Sequence, residues 1–438
     1  MKKNTLYKVL LGCALISLII SLYLILTGSI QASGPFLIAF FLLLAIGVRG
    51  TESLKSFSYT IAIFMAVTAS MFYPEYFTHI GNFKLNLLIV PLLQIIMFGM
   101  GSQMSLNDFT GVIKMPKGVI IGVTAQFTIM PLTALCISKI FYFPPEIAAG
   151  IILIGCAPSG LASNVMSYIA RANLPLAVTI GAVATILAPI LTPLLMKLLG
   201  GQFIEVNFWS MMLDILNMII LPVVAGFIFN MFYNRKDSHK AMLFQLIGYA
   251  VIIIGTNLIY FTSDSPNISQ FLISLLKSFC WFFVLPIIGA LILKYILKGD
   301  RKVIEQCLSF LSMAGIAVII VIITAAGRDS LLKVGALLLI TSLLHNLVGY
   351  TLGYNVARLL KLPEKDRRTI ALEVGMQNGG LASGLAMQMG KIATVGLAPA
   401  VFGPLMNITG SVLASWWRGK IPKEDLEKQD IDKQDEHS

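Results

Sequence analysis

The sequence predicts an all-helical integral membrane protein made of two inverted repeats, with about fourteen transmembrane helices. Three observations support this prediction: the apolar composition, a series of apolar segments whose flanking charges are one-sided, and a tetrapeptide that recurs halfway along the chain. Of the 438 residues, 57% are hydrophobic and only 12% are charged, and the mean hydropathy is +0.85. A water-soluble domain of this size would expose too much apolar surface, so the composition indicates a chain embedded in a lipid bilayer.

Apolar segments separated by polar or turn residues follow one another along the whole chain. In the first half they are predicted at 7–27, 34–49, 57–74, 85–101, 117–141, 146–169 and 173–197. In the second half they are predicted at 208–233, 241–262, 268–297, 303–326, 331–357, 369–390 and 393–416. About 20 apolar residues cross the hydrocarbon of a bilayer, which makes the first segment a transmembrane helix rather than a cleaved signal peptide. The segment 34–49 is short for a span.

Basic residues support this topology and give its direction. With the N-terminus inside, most of the 32 Lys and Arg residues fall in cytoplasmic loops, as the positive-inside rule requires. Seven helices in each half make the two halves enter the membrane in opposite directions, so the repeat is inverted. We expect repeats at 1–203 and 204–420 and a charged cytoplasmic tail at 421–438. The net charge of +11 follows from such loops and does not indicate nucleic-acid binding.

The tetrapeptide Gly-Leu-Ala-Ser occurs at 160–163 and again at 380–383. Each copy lies in the sixth segment of its half, and each is close to helix-breaking residues, Pro158 in the first and Gly379 in the second. A chance match between small residues is the alternative interpretation. A broken membrane helix is tolerated only where its freed backbone groups face protein, water or an ion. Half-helix N-termini suit anions and half-helix C-termini suit hard cations such as Na⁺, so the pair predicts a transport site.

Glu373 is the carboxylate that we expect to bind a cation, because it begins the apolar part of the thirteenth segment. An ionisable group there is costly unless it pairs with a cation, is protonated or reaches water. The alternative is an interfacial glutamate close to Arg367 and Arg368. Gln377 lies one helical turn further along the same face, where the two side chains can share one ion. Neutral oxygens at membrane depth belong to Asn378, Ser163, Asn164 and Gln126.

Other polar residues within the apolar segments rank lower as functional candidates. Asp214 is a second membrane carboxylate, but its place near a helix start also fits an interfacial position. His345 with Asn346 could relay protons, although a histidine satisfied by a neighbouring helix is the commoner case. The sequence holds no H-E-x-x-H, no G-x-S-x-G and no P-loop, and we therefore do not expect an enzyme.

Two motifs together resemble the bile acid:sodium symporter family. They are GCAPSGLASNVMSYIARAN at 155–173 and EVGMQN at 373–378, and the resemblance extends over about 85–233 and 303–416. It implies a ten-helix inverted repeat with a panel domain and a core domain whose two broken helices cross. This chain then carries four further helices. We expect two of them at 34–74, with 7–27 as the first panel helix, and two between 208–233 and 303–326.

The resemblance also implies residues for sodium. One site would use Glu373, Gln377, Gln126 and the carbonyl groups of Val374 and Met376. The other would use Ser163, Asn164, Glu373 and two hydroxyl groups on the next helix, at positions that align with Ala177 and Gly181. Thr179 and Thr185 lie nearby on different faces. We therefore expect one strong sodium site, with the second weakened, and coupling to one ion or partly to protons.

The substrate implied by the resemblance is a small organic anion. The residues expected to hold it are Pro158, Ser159, Gly160, Leu161, Ala162, Asn378, Gly379 and Asn407. Family members tend to carry Gly-Gly-Thr where this chain has Ser-Gly-Leu at 159–161, so the substrate of a relative does not transfer.

The sequence thus predicts sodium-coupled uptake of a small organic anion by alternating access, in a multi-pass protein of the cell membrane with both termini in the cytoplasm. Two alternatives stay open. A sodium-independent or proton-coupled transporter, channel or exporter of the same fold would take up substrate without sodium. A membrane-embedded enzyme would need a nucleophile or metal cluster at depth, and we find neither in the sequence.

Overall fold

The computed structural model describes residues 2–51, 54–104, 111–234, 239–264, 267–296, 300–420 and 422, and it is almost entirely helical. Within these ranges eleven helices are long and apolar enough to cross a membrane, and two shorter apolar helices are Ser58–Phe72 and Pro145–Cys156. This confirms the predicted all-helical membrane class, while the count of fourteen spans stays a prediction. The charged tail predicted at 421–438 lies, apart from residue 422, outside the described residues.

The first half of the chain contains ten α-helices and one small hairpin among the described residues. The helices are α1 (Lys2–Leu26), α2 (Ile30–Gly47), α3 (Ser58–Phe72), α4 (Glu75–Thr78), α5 (Ile89–Gln103), α6 (Gly111–Lys114), α7 (Pro116–Ile140), α8 (Pro145–Cys156), α9 (Ala162–Ile169) and α10 (Leu174–Leu195). Strands β1 (His79–Ile80) and β2 (Phe83–Lys84) follow α4 and pair antiparallel. The turn between them contains Gly81 at φ 58°, a left-handed conformation that glycine adopts without strain.

The second half contains the remaining ten α-helices of the described ranges. They are α11 (Phe208–Ile215), α12 (Leu221–Asn234), α13 (His239–Asp264), α14 (Ile268–Phe279), α15 (Leu285–Leu291), α16 (Arg301–Ala326), α17 (Arg328–Leu359), α18 (Glu364–Gly375), α19 (Gly379–Gln388) and α20 (Leu397–Arg418). A π turn joins α11 to α12 and another joins α14 to α15. Each turn ends immediately before a Leu-Pro pair, at 221–222 and 285–286. Proline lacks a donor and crowds the preceding turn of a helix, and a locally wider helix relieves both effects.

Two groups of packed helices make up the molecule. In the panel, α5 packs between α12 and α16, and α3 packs against α16. In the core, α7, α8, α9, α10, α17, α18, α19 and α20 pack on one another. The predicted panel and core domains are therefore present. The repeat boundary predicted between 203 and 204 stays a prediction.

The first panel helix of the first half is α3, so our expectation for the segment 7–27 was wrong. The Tyr59 hydroxyl of α3 donates to the Met313 carbonyl of α16 at 2.8 Å, and Arg328 Nε donates to the carbonyl at the end of α3, Met71, at 2.6 Å. Helix α2 packs outside α3, and α1 packs on α2. The additional helices of the first half are thus α1 and α2. Hydropathy did not distinguish them from α3 because lipid and protein interior are equally apolar surroundings.

Candidate functional site at the helix crossing

Two broken helices cross in the middle of the core. Helix α8 ends at Cys156 and α9 begins at Ala162, while α18 ends at Gly375 and α19 begins at Gly379. The extended segments between them run antiparallel and pair through Ser159 and Gln377. The Gly160 amide donates to the Met376 carbonyl at 2.9 Å, and the Asn378 amide donates to the Pro158 carbonyl at 2.7 Å. Each break thus satisfies backbone groups of the other, which membrane interiors require.

Side chains from neighbouring helices donate hydrogen bonds to the carbonyl groups that lose their helical partners where α8 and α18 end. Thr192 Oγ1 of α10 donates to the Cys156 carbonyl at 2.8 Å, and Asn346 Nδ2 of α17 donates to the Gly375 carbonyl at 2.6 Å. His345 Nε2, also on α17, lies 3.0 Å from the Met130 carbonyl and is buried. A carbonyl oxygen can only accept, so Nε2 carries the proton of this contact, and the histidine is bound to a neighbouring helix.

Two helix N-termini begin at the crossing. Helix α19 is capped by Asn378, whose Oδ1 accepts from the Leu381 amide at 3.0 Å. Helix α9 begins without a side-chain cap, and the Ser163 hydroxyl donates to the Gly160 carbonyl at 2.7 Å. Because amide groups at a helix N-terminus carry partial positive charge, both half-helices direct positive potential towards the same region.

Glu373 is fully buried at this crossing. The hydroxyl groups of Ser159 and Ser163 lie beside its carboxylate, but among the described residues neither carboxylate oxygen has a partner with hydrogen-bond geometry. Three more buried side-chain oxygens near the breaks share this property: Gln126 Oε1, Ser159 Oγ and Asn164 Oδ1. Buried oxygens without partners are costly, and a set that includes a carboxylate suits a hard cation.

The remaining predicted sodium ligands are held by hydrogen bonds within the core. Gln126 Nε2 donates to Gln377 Oε1 at 2.7 Å and to the Ala157 carbonyl at 3.1 Å. Gln377 Nε2 in turn donates to the Val374 carbonyl at 2.8 Å. These bonds fix the orientation of both amide groups, so Gln126 turns Oε1, and not its amino group, away from Gln377. No group of three or more His, Cys, Asp or Glu side chains suited to a metal ion occurs in the described part of the chain.

Helix α10 faces the carboxylate with a glycine. A Cβ atom at Gly181 would lie 3.6 Å from Glu373 Oε2 and 3.5 Å from Ser159 Oγ. Ala177 is one turn earlier on the same face and is fully buried. Thr179 Oγ1 and Thr185 Oγ1 donate to carbonyl groups of their own helix, at Pro175 and Gly181. The side of the carboxylate that faces α10 therefore receives no hydroxyl group from position 177 or 181.

A cavity of about 90 Å³ lies between this crossing and the panel. It is lined by Ile96, Met97, Gly160, Leu161, Ala162, Ile316, Ile319, Ile320, Gln377, Asn378, Gly379, Gly380, Ser383, Pro399, Gly403, Met406 and Asn407. Six of the eight predicted substrate residues are among them, and Pro158 and Ser159 are not. The sequence did not indicate the panel residues, since isoleucine on a membrane helix is ordinary. The sequence could have indicated Ser383 as a site residue, because it ends the second copy of the tetrapeptide.

The outer ends of the broken helices are fastened as well. Glu146, in the first turn of α8, pairs with Lys391, which follows α19. Asn173, which follows α9, donates through Nδ2 to Asp366 in the first turn of α18 at 2.8 Å. Each broken helix is thus joined at its outer end to the far end of the other.

Arg368 of α18 is buried among three elements of the core. Its Nη1 donates to the Ala170 carbonyl after α9 and to the Trp417 carbonyl in α20, both at 3.1 Å. Its Nε donates to Glu364 at 2.9 Å, and its guanidinium lies 5.7 Å from the Trp417 ring centre. The alternative of an interfacial cluster at Glu373 is excluded by this arrangement, since Arg368 is bound elsewhere and Glu373 is fully buried.

A methyl group at position 160 is expected to damage the crossing. A Cβ atom at Gly160 would lie 2.8 Å from the Gln377 carbonyl oxygen, which is backbone and cannot rotate away. We expect Gly160→Ala to destabilise the protein by about 2 kcal/mol, measured as a lower apparent Tm in detergent. Gly255→Ala is the matched control, because a Cβ atom there would meet no heavy atom within 4 Å. Equal Tm values for the two variants would contradict the close approach of the two breaks at Gly160.

Comparison with known proteins agrees with this architecture. The model of the sodium bile acid symporter family matches residues 90–270. The sodium proton antiporter MjNhaP1 from Methanocaldococcus jannaschii superposes with a TM-score of 0.50 at 15% identity, over 88% of this chain and 98% of that chain. At such low identity, this similarity shows the fold alone.

Sequence relatives are found in bacteria, plants and mammals. YocS, an uncharacterized sodium-dependent transporter of Bacillus subtilis (strain 168), is 32% identical over 370 residues, which are 84% of this chain and 92% of that protein. The probable sodium/metabolite cotransporter BASS1 of Arabidopsis thaliana is 31% identical, over 76% of this chain and 67% of that protein. The ileal sodium/bile acid cotransporter of Homo sapiens is 27% identical, over 72% of this chain and 73% of that protein. The chain therefore belongs to the bile acid:sodium symporter family of membrane transporters.

Proposed function

We propose that this protein is a secondary active transporter that takes up a small organic anion together with Na⁺, by alternating access of the core and the panel. The observation that carries the proposal is the buried carboxylate of Glu373, without hydrogen-bond partners among the described residues, at a crossing where two helix N-termini line a cavity. The names of the relatives, which describe sodium-dependent or sodium-coupled transporters, support it. We further propose that it is located in the cell membrane with both termini in the cytoplasm, from the positive-inside rule.

The proposed ion site combines charge with neutral oxygens. Glu373 supplies the negative charge that makes Na⁺ favourable in a buried place, and Gln126 and Ser159 supply oxygens that have no other partner in the described structure. Ser163 and Asn164 add oxygens from α9, and Gln377, Val374 and Met376 add oxygens from the second break. Binding of Na⁺ would neutralise Glu373 and satisfy several oxygens at once, which gives the ion a structural effect on the crossing.

The proposed substrate is an anion with an apolar body. None of the seventeen side chains around the cavity is charged, so a carboxylate there would be met by amide groups at the starts of α9 and α19 and by Asn378 and Asn407. The opposite wall consists of Ile316, Ile319 and Ile320 with residues of α5, which favours aliphatic carbon. Leu161 contributes a further apolar contact where family members tend to have threonine.

A ligand screen with and without sodium tests this function. The purified full chain is heated with a panel of monocarboxylates, dicarboxylates and sulfonates, in NaCl or in choline chloride. An anion that raises the apparent Tm only in NaCl indicates coupled binding of both, and its uptake into proteoliposomes driven by a sodium gradient then establishes transport. Uptake that is equal in both salts would contradict sodium coupling.

Proton coupling is a second candidate for the same fold, and one observation favours it. Two hydroxyl groups that would complete a second sodium site are replaced by Ala177 and Gly181, so Glu373 has room for one ion with few ligands from α10. A carboxylate in that setting can carry a proton instead. Uptake driven by a pH gradient in sodium-free buffer, and absent in Glu373→Gln, would select this alternative.

We expect a sodium Hill coefficient near one for the natural protein. Adding hydroxyl groups in the double variant Ala177→Ser/Gly181→Ser is expected to raise it towards two, because the new side chain at position 181 would reach Glu373 Oε2. The matched control is the single variant Gly181→Ala. Because position 177 is already alanine, this variant has alanine at both positions and adds a carbon atom without an oxygen atom. Sodium titrations of uptake give the coefficients. A coefficient near two in the natural protein would show that a second site exists without these hydroxyl groups.

A further inference from the structure

A second cavity lies outside the crossing, among the additional helices of the second half. It has a volume of about 610 Å³ and is lined by Asn217, Thr256, Asn257, Tyr260, Gln270, Ile273, Ser274, Lys277 and Ser278. These residues belong to α13, α14 and the π turn between α11 and α12. We call it the α13–α14 cleft.

Polar side chains form one continuous stripe on each of the two helices. On α14, Gln270, Ser274, Lys277 and Ser278 follow the i, i+4, i+7, i+8 spacing of one helix face, and α13 presents Thr256, Asn257 and Tyr260 to them. The other sides of α14 are apolar and exposed, including Leu272 and Leu276, and Trp281 in the π turn that follows is exposed too. Polar groups in such a helix are costly unless they are bound, so the stripe requires an explanation.

Contacts between the helices account for only part of the stripe. Ser274 Oγ and Ser278 Oγ donate to Asn257 Oδ1 at 3.0 and 3.3 Å, and Asn257 Nδ2 donates to the Ile253 carbonyl at 2.9 Å. Thr256 Oγ1 donates to the Ile252 carbonyl at 2.9 Å. The two serine bonds hold α14 against α13, and the other two lie within α13. They involve no charge and do not require a lysine.

Lys277 is the charged member of the cleft. It lies nine residues after the start of α14, roughly 13 Å along the helix axis, well within a membrane-spanning segment. None of the nine lining residues is acidic, so the cleft presents positive charge, hydroxyl groups and amide groups without a carboxylate. That combination binds oxyanions, and at membrane depth a lysine is costly without a counter-charge.

We propose that the α13–α14 cleft is a second anion site, in which Lys277 binds a phosphate or carboxylate group at membrane depth. The hydroxyl group of Tyr260 and the amide group of Gln270 line the same cleft, and the exposed apolar side of α14 accommodates the chain attached to the bound group. A membrane phospholipid and a soluble organic anion present the same charged group. The site is also connected to the panel, because the carbonyl of Asn217 accepts from Gln94 Nε2 of α5 at 3.2 Å.

Native mass spectrometry and thermal unfolding of the full chain test the proposal and separate the two sources. The lipid arm uses phosphatidylglycerol, with phosphatidylcholine as the neutral reference. The soluble arm uses inorganic phosphate and citrate. We expect the natural protein to retain one phosphatidylglycerol molecule, or to be stabilised by a soluble anion, and Lys277→Gln to bind the same probe at least tenfold more weakly. Lys277→Arg should restore binding, since it keeps the charge.

Lys302→Gln is the matched control, because it removes one lysine from the start of α16, outside the cleft. It should bind the probes as the natural protein does. Two results with the natural protein alone would together overturn the proposal: equal retention of phosphatidylglycerol and phosphatidylcholine, and no binding of the soluble anions. Equal binding by the natural protein and Lys277→Gln would overturn it too.

Discussion

Replacing Glu373 with glutamine is expected to shift sodium-dependent uptake to far higher sodium concentrations. Glutamine keeps the shape of the side chain and removes the charge, so the buried oxygens around the crossing lose the carboxylate that makes a cation favourable there. Removing one member of a buried charge pair costs about 3 kcal/mol, which corresponds to roughly a 100-fold weaker sodium affinity. The measurement is initial uptake into proteoliposomes as a function of sodium concentration.

Glu305→Gln is the matched control for this prediction. Glu305 pairs with Arg301 at the start of α16 and is partly exposed, so its loss should leave the sodium titration unchanged. Both variants should elute as folded monodisperse protein before uptake is compared. If Glu373→Gln takes up substrate with the sodium dependence of the natural protein, Glu373 is not the ion-binding carboxylate.

Replacing Arg368 with methionine is expected to destabilise the core by about 3 kcal/mol, because two carbonyl groups lose charge-assisted hydrogen bonds. Methionine fills much of the volume of the arginine stem, which separates the loss of bonding from a loss of packing. The carbonyl groups concerned, at Ala170 and Trp417, belong to different elements, so the ends of α9 and α20 should loosen together. Apparent Tm and hydrogen exchange of the peptides that contain these two residues measure the effect.

Arg301→Met is the control for Arg368. Its ion pair with Glu305 is exposed on both sides, and exposed pairs contribute about 0.5 kcal/mol or less. A Tm for Arg368→Met that matches the control would mean that the buried guanidinium contributes little to core stability.

The sequence was sufficient to predict where membrane helices are interrupted. Pro158 and Gly379 interrupt apolar segments, and the same tetrapeptide near both breaks predicted equivalent places in two halves. The structure has both breaks and brings them together. Residues with unusual chemistry at membrane depth, such as Glu373 and Gln377, were found for the same reason: their cost in hydrocarbon demands a partner.

Packing partners were beyond the sequence. Nothing in the composition of α1 or α3 indicates which of them contacts α16, since both are apolar and a bilayer accepts either. The panel wall of the cavity was missed because Ile316, Ile319 and Ile320 match the surrounding segment in polarity. Lys277 differs from these isoleucines, because its charge stands out within an apolar segment of the sequence. The sequence does not show the cleft around it, and our proposal of a ligand rests on that cleft.

The three fastenings of the broken helices limit how the core can move. The backbone pairing at Gly160 and the ties at Glu146 and Asn173 hold the four half-helices at the centre and at both outer ends, so a single half-helix cannot swing without breaking them. The panel side of the cavity is different, since Ile316, Ile319 and Ile320 have no side-chain hydrogen-bonding atoms. A sliding of the core as one body along that wall would therefore break no hydrogen bond made by the side chains of these three residues.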